Sequence, residues 1–205
     1  MPKDASILFL KYNFDGNEDK DSIFFIWSYW KDLPKAHLVK KNLELLGIEE
    51  ESIFIIEGYD HTQINMKVAH AIWKGFCDCV VPKVLEKKKN FYYVESNTII
   101  YENPRYFPKY EPIHWLGFLK NLNHYIVGSH LVYFDYKNFV DKIVPLIEKE
   151  KPTHIDKVFR KWGLKFGMEI DKSITLIMPH YSYNLKKIRT SPINKNFYYH
   201  KILNA

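Results

Sequence analysis

The sequence predicts an α/β fold for a chain of 205 residues. Apolar runs of strand type alternate with helix-type stretches over roughly the first half of the chain. Hydrophobic residues make up 46% of the sequence and aromatic residues 17%, which is enough for a buried core. Alternation at this spacing is typical of parallel strands joined by right-handed helical crossovers. The length fits one domain.

The first half reads as strand, helix, strand, helix, strand. Pro34 and Gly47 are start and stop signals for the first helix. Pro82 is expected to kink or split the second helix. The predicted elements are a strand at 6–12, an ambiguous aromatic segment at 23–30, a helix at 33–46, a strand at 52–57, a helix at 62–88 and a strand at 91–101. This layout is that of a Rossmann-type nucleotide-binding half.

The third predicted strand is interrupted by Glu95, Ser96 and Asn97. Burying an unpaired carboxylate is destabilising, so a carboxylate at the centre of an apolar strand indicates a partner, a ligand or a break in the strand. In α/β sheets, ligands bind at the carboxyl ends of the strands, and a polar triplet there can hold a metal or a diphosphate. The alternative is a turn between two hairpin strands.

The second half of the chain has a different pattern. The predicted elements are a Pro/Tyr-rich loop at 103–112, a short helix at 115–122, a strand at 125–134, a helix at 138–149, a helix at 154–162, a strand at 173–178 and a basic, aromatic tail at 184–205. We therefore divide the single domain into a nucleotide-binding half, 1–102, and a second half, 103–205.

Charge is distributed unevenly along the chain. The net charge is +6, yet residues 1–60 carry 7 Lys/Arg against 12 Asp/Glu, whereas residues 151–205 carry 11 against 3. Such asymmetry suggests an anionic ligand: a nucleotide diphosphate, a nucleic acid or a membrane face. The alternative is that most of these lysines are simply solvated.

Several side chains outside the triplet could carry chemistry. His130 follows Gly128 and Ser129 within a predicted strand, where glycine often marks close approach of a ligand. Asp156, at the start of a helix, is either a favourable N-terminal carboxylate or a general base. The other candidates, each with an ordinary structural alternative, are His70, His180, Lys186 and Arg189.

The motifs of several enzyme classes are missing. The sequence contains no G-x-G-x-x-G, P-loop, H-E-x-x-H or G-x-S-x-G, which argues against standard dinucleotide oxidoreductases, P-loop kinases, zincins and serine hydrolases. Cys77 and Cys79 are expected to be reduced thiols. No signal peptide or run long enough to span a bilayer is visible, so we expect a cytoplasmic protein.

The order of segments over roughly residues 60–192 resembles glycosyltransferases of the family 25 type, which decorate lipopolysaccharide and collagen and have a GT-A-like fold. The residues that carry the resemblance are Ala69, His70 and Trp73; Val94, Glu95, Ser96 and Asn97; Gly128, Ser129 and His130; His154, Ile155 and Asp156; Pro179 and His180; and Ser191. Ser96 and Asn97 replace both aspartates of the family's Glu-Asp-Asp motif.

The resemblance implies transfer of a sugar from a nucleotide-sugar donor to an acceptor hydroxyl. It implies Asp156 and His130 as catalytic residues. Donor-binding residues would be Lys11, Tyr12, Lys67, His70, Glu95, Asn97, Lys186 and Arg189. A divalent metal, Mn²⁺ or Mg²⁺, would be held by Glu95, Asn97 and His180, although loss of the two aspartates weakens that site.

The acceptor and the activity itself leave alternatives open. The acceptor is either a glycan or a hydroxymethylated base in viral DNA, because the basic last quarter and its aromatics suit phosphates and a flipped base. Residue usage rich in Lys, Asn, Ile, Tyr and Phe fits a virus or phage, and hence the host cytoplasm. The other candidates are a catalytically inactive GT-A-like module and a basic nucleic-acid-binding module.

Overall fold

The structure is a computed structural model that describes residues 19–29, 32–100, 102–106, 113–115, 118–121, 124–127, 130–151, 153–166, 169–170 and 175–177. The strands are β1 (Ile23–Ser28), β2 (Ile53–Glu57), β3 (Phe91–Glu95), β4 (Thr98–Ile100), β5 (Ile113–Trp115), β6 (Phe118–Asn121), β7 (His124–Val127), β8 (Leu131–Phe134), β9 (Glu169–Ile170) and β10 (Thr175–Ile177). The helices are α1 (Leu33–Leu45), α2 (Val68–Gly75), α3 (Val81–Lys87), α4 (Tyr136–Asn138), α5 (Val144–Ile147) and α6 (Ile155–Phe166). Short 3₁₀ turns lie at Glu50–Ser52 and Pro104–Tyr106, and π-helical turns at Phe76–Val80 and Phe139–Ile143.

The main sheet has the strand order β2-β1-β3-β8-β5-β9. Strand β1 is parallel to both β2 and β3, whereas β8 runs antiparallel to β3 and to β5. The parallel part, with a helix between successive strands, is a Rossmann-type half, and β8 makes the sheet mixed. The predicted α/β class with a mixed sheet is thus confirmed, and the layout is consistent with the expected GT-A-like arrangement.

Helices cover both faces of the parallel strands, which explains why β1 is a continuous apolar run. Helix α1 covers one face, with Ala36, Val39 and Leu43 packed on the even-numbered residues of β1. The other face carries α2, α3, the two π-helical turns and α6. Its buried aromatics are Phe25, Trp27, Trp73, Phe76, Phe91, Tyr93, Phe134, Phe139, Phe159 and Trp162.

Three expectations for the second half and the strand at 91–101 need correction. The segment expected as a helix at 115–122 instead contains Trp115, the last residue of β5, and the whole of β6 (Phe118–Asn121). The strand expected at 125–134 is two strands in different sheets, since β7 pairs with β6 and β8 with β3. The strand expected at 91–101 is also two, because β4 leaves the main sheet and pairs with β10.

Both π-helical turns share a sequence pattern that ends in proline. Each has the form Lys-x-Phe-x-Asp-x-(Val/Ile)-Val-Pro, and in each the N–H of the last valine donates to the phenylalanine carbonyl five residues earlier. Proline has no N–H, and its ring clashes with the carbonyl four residues back, which widens the turn. Pro82 therefore produces the interruption that the sequence predicts.

The ends of the sequence lie outside the described residues, including the predicted strand at 6–12 and the tail at 184–205. The first described strand is Ile23–Ser28, in the segment that the sequence left ambiguous. Within the described residues, no helix combines the length and apolar character needed to cross a bilayer.

Candidate functional site

The carboxyl end of β3 forms the centre of the candidate site. Strand β3 ends at Glu95, and Ser96 and Asn97 form a turn. Backbone bonds fix this turn between neighbours: Glu95 N–H donates to the His130 carbonyl at 3.1 Å, and Ser96 N–H donates to the Trp27 carbonyl at 2.9 Å. The polar triplet is therefore a strand end at the sheet's carboxyl edge, and it is not a hairpin because β3 and β4 lie in different sheets.

Glu95 and His130 form a side-chain pair across the β3–β8 ladder. His130 Nδ1 lies 2.9 Å from Glu95 Oε2, and the two side chains are 11% and 19% exposed. Burial by itself lowers the pKa of His130, but the hydrogen bond that His130 donates to Glu95 and the charges of Glu95 and Asp156 outweigh it. The net effect is that the pKa of His130 is raised above its ordinary value of 6.5, which favours the imidazolium.

Asp156 lies in the first turn of α6 and faces the same cluster. His154 Nδ1 is 3.0 Å from Asp156 Oδ2, and the Asp156 side chain is 33% exposed. A carboxylate in the first turn of a helix is favoured by the helix dipole. Asp156 is therefore placed at the sheet's carboxyl edge, open to solvent and close enough to His130 and Tyr93 to act on both electrostatically.

Tyr93 lies beneath this pair of carboxylates. It is fully buried, and burial raises its pKa well above 10, with the charges of Glu95 and Asp156 adding to the effect. The cluster thus combines a buried phenol, a His–Glu pair and a partly open aspartate.

The indole of Trp27 holds the loop after β2 and helix α2 at fixed positions beside the site. A Cβ added at Gly58 or at Gly75 would overlap the indole ring of Trp27. Close approach of both backbones to one ring thus requires glycine at these positions. Trp27 pairs with Glu95 in the β1–β3 register, so the contact of its indole with the two glycines lies next to the end of β3.

Tyr29 and Asp60 also lie at the carboxyl edge of the sheet, and neither was predicted as a site residue. Tyr29 follows β1 directly, and its hydroxyl hydrogen-bonds His61 Nδ1 in the loop after β2. Asp60 orders that loop, because its Oδ1 accepts from Thr62 N–H at 2.9 Å and from Thr62 Oγ1 at 2.6 Å. A polar or aromatic residue soon after an apolar strand could have indicated these positions in the sequence. For Tyr29 the indication was weak, because the segment 23–30 was not clearly a strand.

The structure brings some of the expected residues together and leaves others apart. Glu95, His130 and Asp156 share one cluster. Asn97 is 3% exposed within the turn. Lys67, exposed, and His70, half-buried, lie at the start of α2, on the same edge of the sheet. Lys11, Tyr12, His180, Lys186 and Arg189 lie outside the described residues, so their roles stay predictions.

The fit of a divalent metal depends on residues beyond the described ones. Within the described ranges, no group of three or more His, Cys, Asp or Glu side chains could hold a metal ion. Glu95 Oε2 is already engaged by His130. The described donors therefore do not by themselves form a site for Mn²⁺ or Mg²⁺, and the expected metal site with His180 stays a prediction.

The two cysteines are poor candidates for a nucleophile. Cys77 and Cys79 are free and lie on the first π-helical turn. Burial raises the pKa of Cys77 to about 12, with the charge of Asp78 adding to it. A thiol reacts as the thiolate, so Cys77 is not activated at neutral pH.

No protein-family model and no curated protein matches the chain. One matching solved structure is the crystal structure of a glycosyltransferase involved in the glycosylation of the major capsid of PBCV-1. Its TM-score is 0.48 and its sequence identity 12%, over 73% of this chain and 82% of that chain. A likeness at this level establishes neither a family nor an activity.

Proposed function

We propose that the protein is a glycosyltransferase that moves a sugar from a nucleotide-sugar donor to an acceptor hydroxyl. The observation that carries the proposal is the cluster of Glu95, His130 and Asp156 at the carboxyl edge of a Rossmann-type sheet. That edge is where nucleotides and their phosphates bind in open α/β sheets. The family 25 resemblance of the sequence points to the same chemistry and the same residues.

The reaction is a single displacement at the anomeric carbon of the donor. Asp156, which is open to solvent, accepts the proton of the attacking acceptor hydroxyl. The bond from that oxygen to the anomeric carbon forms as the bond to the diphosphate breaks. The imidazolium of His130 supplies positive charge at the site, and basic residues stabilise the departing diphosphate.

The acceptor is a glycan or a hydroxymethylated base in viral DNA. Support for DNA comes from the charge of residues 151–205, with 11 Lys/Arg against 3 Asp/Glu. Helix α6, which begins beside Asp156, presents four exposed basic residues: Lys157, Arg160, Lys161 and Lys165. A basic helix leading away from the proposed base would bind acceptor phosphates.

A donor-hydrolysis and transfer assay with purified protein tests the activity. The substrates are UDP- and GDP-sugars, with a glycan or hydroxymethylated DNA as acceptor, each with and without Mn²⁺. We expect Asp156→Asn to lower the rate by about 10²-fold or more, since it removes the proton acceptor. Asp141→Asn is the matched control, because Asp141 is exposed and paired with Lys137 on another element. Equal rates for the two variants would exclude Asp156 as the base.

An inactive GT-A-like binding module is the second candidate. It is favoured by Ser96 and Asn97, which stand where the resembling family has aspartates. Binding of nucleotide sugars without turnover, under every metal condition, would identify this function. Binding of DNA with no response to any donor would instead identify a nucleic-acid-binding module.

A further inference from the structure

The hydroxyl of Tyr93 is a fully buried polar group with an unusual environment. Tyr93 is 0% exposed, and its hydroxyl has no hydrogen-bond partner among the described residues. Nearly all buried polar atoms in native proteins are hydrogen-bonded, so an exception calls for a role. The adjacent Tyr92, on the opposite face of β3, is equally buried, but its hydroxyl donates to the Pro104 carbonyl at 3.0 Å.

The geometry directs Tyr93 toward the carboxylates of the site. Residues two apart on a strand share a face, so Tyr93 and Glu95 point to the same side of the sheet. Asp156 and Phe159 are three apart on α6 and share a face of that helix. The Phe159 ring packs edge-on against the Tyr93 ring, with centroids 5.4 Å apart. The face of α6 that bears Asp156 thus covers Tyr93.

Burial decreases from Tyr93 towards the carboxylates. The Tyr93 residue is 0% exposed, the Glu95 side chain 19% and the Asp156 side chain 33%. Two further buried donors on this face, Trp27 Nε1 and Trp162 Nε1, also have no partner among the described residues. These two indoles belong to the same buried cluster as Tyr93.

We propose that Tyr93, Glu95 and Asp156 form a subsite that binds a hydroxyl group of the sugar carried by the donor. A sugar hydroxyl both donates and accepts, so it can donate to a carboxylate and accept from the Tyr93 hydroxyl at once. Hydrogen bonds to charged groups are the stronger ones, which suits recognition of a neutral sugar. The subsite rests on the proposed function.

The first test measures the stability of the free protein. Tyr93→Phe removes a hydroxyl that has no hydrogen-bond partner among the described residues, so we expect an unchanged or higher melting temperature. Tyr92→Phe is the matched control, because it removes a bonded hydroxyl from the neighbouring buried position. We expect that control to lower the melting temperature by about 2–4 °C.

The second test measures ligand binding to the same two variants by calorimetry. The probes are UDP-glucose, UDP-galactose and GDP-mannose, with UDP and GDP as sugar-free references. We expect Tyr93→Phe to weaken binding of the recognised nucleotide sugar by about tenfold or more and to leave binding of the free diphosphate unchanged. Tyr92→Phe should bind both as the wild type does.

The outcomes separate this subsite from the proposed function. If the wild type binds a nucleotide sugar and Tyr93→Phe binds it equally well, the subsite is wrong and the proposed function stands. An equal loss of affinity for nucleotide sugar and free diphosphate also overturns it, since the hydroxyl would then not act on the sugar. If the wild type binds no nucleotide sugar, both the subsite and the proposed function are wrong.

Discussion

At the residue scale, His130 is the side chain whose environment says most about the site. It is nearly buried, yet it is paired with one carboxylate and faces a second. A neutral imidazole would suit an apolar pocket, whereas this arrangement favours the cation. The protonation state of His130 therefore depends on its pairing with Glu95 at the end of β3.

The raised pKa of His130 predicts a pH-dependent stability. A group whose folded-state pKa exceeds its unfolded value stabilises the fold below the unfolded value and loses that contribution as the pH rises through the folded one. The free energy of unfolding should therefore fall as the pH rises above 6.5. Urea unfolding from about pH 6 to about pH 8.5 measures this, and His130→Gln should flatten that part of the profile. Glu95→Gln should shrink or reverse the fall, because burial alone lowers the pKa. An identical slope in all three proteins would contradict this account of His130.

The packing of Gly75 against Trp27 predicts a steric effect. Gly75→Ala places a methyl group on the buried indole, and we expect a loss of about 1–3 kcal/mol in the free energy of unfolding. Trp27→Phe shortens the ring, so the double variant should lose less than the sum of the two single variants. Denaturant unfolding of the three variants measures both effects. Strict additivity would show that the two residues do not meet.

At the element scale, Asn42 ties helix α1 to the strand that leaves the main sheet. It is fully buried, its Nδ2 donates to the Ile100 carbonyl at 2.7 Å, and its Oδ1 accepts from the Ile100 N–H at 2.7 Å. The side chain thus satisfies both backbone groups of a β4 residue. This bond pair holds the last residue of β4 against α1.

Asn42→Ala should therefore be strongly destabilising. It leaves two buried backbone groups without partners, each costing about 1–3 kcal/mol, so we expect a loss of at least about 2 kcal/mol in unfolding experiments. His37→Ala on the exposed side of the same helix is the control and should change stability by no more than about 0.5 kcal/mol. A similar small effect from both would contradict the role given to Asn42.

The elements that could be predicted are those whose signal is local. Helix α1 has its proline and glycine boundaries, β2 is a short apolar run, and Pro82 marks the interruption after α2. The expectation failed where pairing partners decide the structure. The segments 91–101 and 125–134 were each predicted as one strand, yet the strands found there are divided between two sheets, because strand pairing depends on partners distant in sequence.

At the scale of the whole molecule, part of the candidate site was predictable and part was not. Glu95 was predicted because it interrupts an apolar strand, His130 because it follows a glycine within a predicted strand, and Asp156 because it begins a helix. The α/β layout predicted that strand ends would share one edge. The pairing of Glu95 with His130 could not be predicted, since it requires the antiparallel β3–β8 register. Nothing in the sequence distinguishes Tyr93 from an ordinary core residue of a strand.

If the acceptor is DNA, the charge of α6 predicts salt-dependent binding. Affinity for hydroxymethylated DNA should fall linearly with salt on a logarithmic scale, because each phosphate contact releases counterions. Lys157→Ala with Arg160→Ala should reduce the slope by up to about two, whereas Lys83→Ala on α3 should leave it unchanged. Fluorescence anisotropy at several salt concentrations measures the slope. No binding at low salt would exclude DNA and leave a glycan as the acceptor.

A thermal-shift screen against nucleotide sugars, with and without Mn²⁺, bears most directly on sugar transfer. A donor present at about 100 times its dissociation constant should stabilise the protein by about 2.7 kcal/mol, or about 5–10 °C for a chain of this size. We expect one class of nucleotide sugar to give such a shift, and its change with Mn²⁺ would show whether a metal takes part in binding. The absence of a shift with every UDP- and GDP-sugar, in either condition, would contradict the proposed glycosyltransferase.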